Sequence, residues 1–254
     1  MLIKIVAPIY SEDGNLTAKK FEEEINRELG FALQPDINIS FSCLRAGPTS
    51  IECFFDEKAA VPYILEEVVR AEKEKQDAVI INCFGDPGLW AAREIAKIPV
   101  VGAGQASLLI ASFLGEKVAI VTVVDKVCPL IRRNIRLYHL DSIVTSIRAV
   151  QIPVLEIEKK LDYVEDVILK ESQAAIEKDG ADVIVLGCTG FTKLARKLYT
   201  KLSVPVVDPT LAAIKLAEMT VRRGLSQSKR KYPEVCEKER RGFTILANLT
   251  GLHG

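Results

Sequence analysis

The sequence predicts an α/β fold of two pseudo-symmetric domains, each a parallel sheet flanked by helices, with an active site in the cleft between them. Three observations lead there. Short β-branched runs alternate with amphipathic stretches along the chain, the pattern that builds parallel sheets with helices on both faces. A 254-residue chain is long enough to bury a sizeable core as one large domain or two small ones. The segment DAVIINCFGDPGLWAAREIAKIPVV, from Asp77, can be laid on DVIVLGCTGFTKLARKLYTKLSVPVV, from Asp182. In each copy a cysteine stands six residues after the aspartate, and a proline follows it by 16 residues in the first copy and 17 in the second. Both copies read as strand, cysteine turn, helix, short strand.

In chain order, the apolar run Leu2–Ala7 predicts a first strand and the amphipathic stretch Leu16–Leu29 a helix. Strand Ile37–Cys43 and helix Asp56–Lys75 follow, then the first copy of the repeat: strand Ala78–Asn82, helix Leu89–Lys97 and strand Val100–Val101. Helix Gln105–Leu114 leads into strand Val118–Val123, helix Asp125–Tyr138, strand Ile143–Val150 and helix Leu161–Lys178. The second copy supplies strand Val183–Leu186, helix Thr192–Leu202 and strand Val206–Val207, and helix Thr210–Arg223 returns to the first half. The expected division is residues 1–104 plus 209–254 for one domain and 105–208 for the other. The charged stretch Ser226–Gly242 is expected in solvent. The final FTILANLTGLHG is open between a terminal strand and an oligomer contact. A homo-oligomer is the expected assembly.

Composition narrows the function. Hydrophobic residues make up 48% and charged residues 27%, as in a soluble globular protein, and 34 basic residues cancel 34 acidic ones. That balance lacks the positive footprint of a nucleic-acid-binding protein, so the expected partner is a small molecule. The N-terminus shows no basic region followed by a long apolar run, which predicts a cytoplasmic protein. The apolar stretch Pro99–Gly115 is too short and too interrupted for a membrane span. Six cysteines without a CxxC, two histidines without ligand spacing and no phosphate-binding glycine loop predict no disulfide framework, no metal and no organic cofactor.

The chemistry is expected at Cys83 and Cys188. In open α/β sheets ligands sit at the carboxyl ends of strands, where the repeat places both thiols. A cysteine just before a helix faces free backbone N–H groups and the positive end of the helix dipole, which favour thiolate and lower a pKa that starts near about 8.5. Glycines follow each thiol, Gly85 and Gly88 after the first and Gly190 after the second, and let a ligand approach the backbone. A lone cysteine is most simply a small buried hydrophobe; a matched pair fits general acid/base work. Cys43 reads as core, Cys53 and Cys128 lie near helix starts without a glycine turn, and Cys236 lies in the charged tail, so none of these four is given a role.

At these residues the chain resembles the Asp/Glu/hydantoin racemase superfamily, and within it the hydantoin and allantoin racemase branch. The resemblance is carried by GPTSIECFFDEKAAVPYILEEV (Gly47–Val68), CFGDPG (Cys83–Gly88), IPVVGAGQA (Ile98–Ala106), LGCTG (Leu186–Gly190), PVVDP (Pro205–Pro209) and GLSQSKRKY (Gly224–Tyr232). It implies two pseudo-symmetric domains, no metal or organic cofactor, and a two-base mechanism carried by Cys83 and Cys188. One, as thiolate, removes the hydrogen on Cα while the other, as thiol, donates from the far side. The enolate between them needs donors, expected from the backbone around Phe84-Gly85 and Thr189-Gly190 with the Thr189 hydroxyl in support. Thr122, at a strand end, is a further candidate for the cleft. Asp86 and Asp208, each followed by proline, read as turn or cap residues.

The chain departs from the family where relatives often carry an Asn-Pro-Asn-Thr segment that holds polar groups of the ligand. Here Ala7-Pro8-Ile9-Tyr10-Ser11 stands instead, and Gln105-Ala106 replaces a frequent Glu-Ala. Pro8, Ile9 and Tyr10 offer mainly apolar surface, which suits a neutral cyclic ureide better than a free amino acid with its two charges. An aspartate or glutamate racemase, or a maleate-type isomerase, is the alternative within the superfamily. A decarboxylase would need only one of the pair. A non-catalytic small-molecule binding protein, also two halves about a cleft, is the alternative outside it.

Overall fold

The computed structural model describes residues 1–236. In its first half the chain runs β1 (Leu2–Tyr10), α1 (Gly14–Leu29), β2 (Asn38–Leu44), α2 (Phe54–Lys73), β3 (Ala78–Ile81), α3 (Leu89–Ile95), β4 (Val100–Gly102) and α4 (Ala103–Leu114). The second half repeats that order: β5 (Val118–Thr122), α5 (Cys128–Leu137), β6 (Val144–Ala149), α6 (Leu161–Asp179), β7 (Val183–Leu186), α7 (Thr192–Lys201), β8 (Val206–Val207) and α8 (Pro209–Arg222). Two four-stranded parallel sheets result, ordered β2-β1-β3-β4 and β6-β5-β7-β8. Each strand of the first sheet thus has a counterpart at the same place in the second.

The register makes the correspondence residue by residue. Val6 pairs with Ile81 in the first sheet and Val121 with Leu186 in the second. One residue on, the Asn82 N–H donates to the Val6 carbonyl at 2.9 Å and the Gly187 N–H to the Val121 carbonyl at 2.7 Å. The next residue is Cys83 in one half and Cys188 in the other. The inner strands β3 (AVII) and β7 (VIVL) are buried at every position, as central strands covered on both faces require.

Helix ends follow local chemistry. The Asp13 carboxylate accepts from the Leu16 N–H at 2.9 Å and starts α1. Gly180, in left-handed conformation, ends α6. Asp208 followed by Pro209 opens α8. That helix packs on α4, β3 and β4, while α4 also touches β7 and β8. Alanines 103, 106, 111, 212, 213 and 217 let the backbones approach, and one apolar core runs from Ile5 and Ile80 through Ile214 to Ile120 and Val185. A second core lies between the first sheet and α2 and α3, around Val6, Ile64, Val68, Val79 and Leu89.

The tail corrects an expectation. Ser226, Ser228, Arg230 and Lys231 are exposed as expected, but Gln227, Lys229 and Tyr232 pack on the first half: the Gln227 side chain donates to the Ala96 and Ile98 carbonyls at 2.8 and 2.9 Å. The Lys229 ammonium donates to the carbonyls of Arg93, Glu94 and Ala96, which α3 leaves open at its negative end. Tyr232 is buried against Arg93 and Trp90. A basic residue here serves a helix end, which charge density alone does not reveal. The remaining tail, including FTILANLTGLHG, lies outside the described residues. Among the described residues no helix is long and apolar enough to cross a membrane.

Candidate active site

A cleft of about 660 Å³ opens at the carboxyl ends of the strands. Cys83, Cys188, Ile9, Phe84, Gly85, Thr122, Thr189 and Gly190 all line it. Strand pairing explains why: β3 and β7 each run out at the same height of their sheet, and the next turn carries the thiol.

A glycine stands two residues after each thiol. The Gly85 N–H donates to Cys83 Sγ, and the Gly190 N–H donates to Cys188 Sγ at 3.4 Å. A methyl group on Gly85 would lie 3.7 Å from Cys83 Sγ and 3.0 Å from Leu130, and one on Gly190 would lie 3.4 Å from Cys188 Sγ and 3.2 Å from Ile157. The glycine N–H groups expected to serve an enolate are therefore aimed at sulfur. The Thr189 hydroxyl donates to the Asn82 carbonyl at 3.2 Å, a bond between the halves, and the Thr122 hydroxyl donates to the Gly187 carbonyl at 3.0 Å.

Burial works against the expected lowering of the thiol pKa values. Burial, the largest influence, pushes Cys83 up to about 12 and Cys188 up to about 11, while the glycine N–H bonds oppose the rise only in part. Negative charge adds to it, from Cys188 and then Asp86 and Glu57 at Cys83, and from Glu52 at Cys188. The helix that follows Cys83 starts only at Leu89, so its dipole end is remote from the sulfur. Burial thus favours the thiol form at both positions, and the two-base reaction runs from the form in which one of the two has lost its proton.

The turn bearing Cys83 is held by α5. The Asn134 side chain donates to the Gly85 carbonyl at 2.6 Å, the Tyr138 hydroxyl donates to Asp86 at 2.5 Å, and Arg133 pairs with Glu57 at 2.9 Å. Across the cleft, Asp208 caps α8 by accepting from the Thr210 and Leu211 N–H groups, and Thr192 and Thr210 join their hydroxyls beside it. Thr210 in turn donates to Asn82 Oδ1 at 3.1 Å.

Sequence reasoning missed Asn82 and Thr210, both of which line the cleft. The signal for Asn82 was its place in the repeat, where its counterpart is Gly187. It also missed the rim, where Lys193 bridges the halves through Glu24 at 2.9 Å and Glu158 at 2.8 Å. Tyr10 does not line the cleft as expected; only Ala7, Pro8 and Ile9 of that segment do. Cys43, Cys53, Cys128 and Cys236 do not line it either. Among the described residues no group of three or more histidine, cysteine or acidic side chains is placed to hold a metal.

Two similar parallel sheets carry a thiol just after the equivalent strand in each, and both thiols line one cleft. The Asp/Glu/Hydantoin racemase family model matches residues 15–217, and the chain belongs to that family. It is 36% identical over 206 residues to a hydantoin racemase of Pseudomonas sp. (strain NS671), covering 80% of this chain and 83% of that one. Among solved structures, the allantoin racemase from Klebsiella pneumoniae superposes with a TM-score of 0.89 at 31% identity, covering 98% of this chain and 99% of that one. Allantoin racemase from Pseudomonas fluorescens gives 0.86 at 32% identity over 95% of this chain and 100% of that one.

Proposed function

We propose that this racemase inverts the Cα of a 5-substituted hydantoin or of allantoin by a two-cysteine, two-base proton transfer without a cofactor. The observation that carries the reading is the equivalence of Cys83 and Cys188: each follows the same strand of its sheet, accepts a glycine N–H and lines the same cleft. One sulfur, as thiolate, takes the proton from Cα, and the electron pair of that C–H bond passes into the adjacent carbonyl as an enolate. The other thiol returns a proton to the opposite face and is left as thiolate. The two sulfurs have exchanged protonation states, and the enzyme is set for the reverse reaction.

The apolar part of the wall supports a neutral ring. Ala7, Pro8, Ile9, Phe84, Val123 and Leu130 supply apolar surface, and Lys193 at the rim is already held by two carboxylates. The ring's own carbonyl acidifies Cα, which matters where burial makes a thiolate costly. Loss of optical rotation should be followed with 5-substituted hydantoins, allantoin, aspartate and glutamate. Turnover of a ureide is expected; efficient turnover of an amino acid with none of any ureide would sink the proposal.

A further inference from the structure

At Asn82 the pseudo-symmetry of the cleft fails in a chemically telling way. Its counterpart, Gly187, cannot carry a side chain, because a Cβ there would stand 2.8 Å from Thr122 Cβ and 2.9 Å from Ile120 Cγ2. In the first half Asn82 holds the equivalent position, with Ala7 and Ile5 in the places of Thr122 and Ile120. A carboxamide therefore lines the cleft beside Cys83, and the position before Cys188 carries no side chain.

Asn82 is held on three sides. Its N–H is bonded to Val6, its carbonyl accepts from the Thr189 hydroxyl, and its Oδ1 accepts from Thr210, which is fully buried at the start of α8. Thr210 is fixed by Thr192 at 3.0 Å, and Thr192 also contacts Asp208 at 3.1 Å. With Oδ1 so engaged, the side-chain nitrogen makes no hydrogen bond with any described residue. The Gly190 N–H, a further donor beside a thiol, is spent on Cys188 Sγ.

We propose that Asn82 is a catalytic residue whose carboxamide N–H donates to the carbonyl beside the reacting carbon and stabilises the enolate as it forms, with Thr210 as its positioning residue. This rests on the ureide reading above. A hydantoin ring is itself unsymmetric about that carbon, with a carbonyl on one side and a nitrogen on the other, so a single fixed donor sets its orientation for both enantiomers. Proton transfer stays with the cysteines; Asn82 supplies a hydrogen bond that strengthens as charge moves onto oxygen.

The test measures kcat and KM for racemisation of 5-substituted hydantoins by Asn82→Ala, Asn82→Asp, Thr210→Val and Thr210→Ser, with circular dichroism to verify folding. Loss of one such donor costs on the order of 100- to 1000-fold in kcat, and Asn82→Ala should show a loss of that size with a smaller change in KM. Asn82→Asp, which presents only acceptors and a negative charge, should be worse than alanine. Thr210→Val should be intermediate, and Thr210→Ser should restore activity. Wild-type turnover of a ureide together with near wild-type kcat/KM in Asn82→Ala, or with Asn82→Asp at or above wild type, overturns this inference and leaves the proposed function standing. A wild-type chain that neither inverts nor binds any ureide removes both.

Discussion

Asp86 and Asp208 cap equivalent helices, one from a distance and one in place. Asp208 immediately precedes α8 and accepts from the N–H groups of Thr210 and Leu211 at 2.7 and 3.2 Å. The equivalent position before α4 is Gly102, and a Cβ there would fall 2.4 Å from Asp86 Oδ1. The Asp86 carboxylate, reaching in from the Cys83 turn, takes that space and accepts from Gly104 and Gln105 at 2.9 and 2.7 Å. Asp86 holds a left-handed backbone (φ 47°) to do so. The cap thereby ties the turn carrying one thiol to the helix that touches both sheets.

The two buried carboxylates shape the dependence of stability on pH. Burial, the leading influence, raises both to about 6, above the unfolded carboxyl range, and hydrogen bonds at each oppose the rise. A raised folded pKa gives stability that is full below the unfolded pKa and lost as pH climbs through the folded one. The contribution of these groups should fall between about pH 4 and pH 6. Asp208 Oδ2 has no hydrogen-bond partner among the described residues, so its charge is the less compensated. Asp208→Asn keeps the capping oxygen and removes the charge. Its melting temperature relative to wild type should be higher at pH 8 than at pH 5, and a difference independent of pH would contradict this.

Raised thiol pKa values predict sluggish chemistry toward electrophiles. At pH 7.5 iodoacetamide should modify Cys83 and Cys188 more slowly than it modifies a small free thiol, because only thiolate reacts. Cys188, with the smaller rise, should be labelled ahead of Cys83 as pH is raised. Peptide mass spectrometry over pH 7–10 reads the order. Rapid modification of Cys83 at neutral pH would show that the pocket activates it without substrate.

The α5 clamp is the next point to probe. Asn134 is buried and donates to the Gly85 carbonyl, so Asn134→Leu leaves that carbonyl without its partner at a cost of about 1–3 kcal/mol. Gly85 is also the residue whose N–H meets Cys83 Sγ, so activity should fall together with stability. Denaturant midpoints and kcat should both drop. Unchanged kcat in a destabilised variant would confine Asn134 to a structural role.

The eight strands and their order along the chain were legible because β-branched runs and helical periodicity are local signals, and β7 and β8 have the bounds the pattern predicts. The thiol pair was legible because a rare residue recurs at one offset. The state of those thiols was not: it depends on how much protein surrounds each sulfur, and the local turn suggests the opposite sign. Asp86 read as a turn or cap residue, but its partners Gly104, Gln105 and Tyr138 lie 18 to 52 residues away and no local pattern announces them. Lys229 read as solvated because its acceptors, the open carbonyls of α3, come from a distant part of the chain.

Two bases in unequal surroundings predict that each serves one enantiomer. If Cys83 removes the proton from one face and Cys188 from the other, replacing one sulfur blocks inversion but leaves its partner able to take a proton and return it on its own side. In deuterated water, Cys83→Ser should exchange the Cα hydrogen of one enantiomer of a hydantoin without inverting it, and Cys188→Ser should do so for the other. Serine fills nearly the same space and is far less acidic than a thiol, so the cleft is kept while one base is lost. The rates need not match. Cys83 carries the larger burial penalty, and the carboxamide of Asn82 lies next to it in sequence, so exchange that relies on Cys83 should be slower unless the Asn82 hydrogen bond compensates. Adding Asn82→Ala to each single variant separates those contributions: exchange should fall in both, because both faces lead to the same enolate. Polarimetry and proton NMR on separate enantiomers give both readouts. Equal exchange of both enantiomers by each single variant would show that one base reaches both faces.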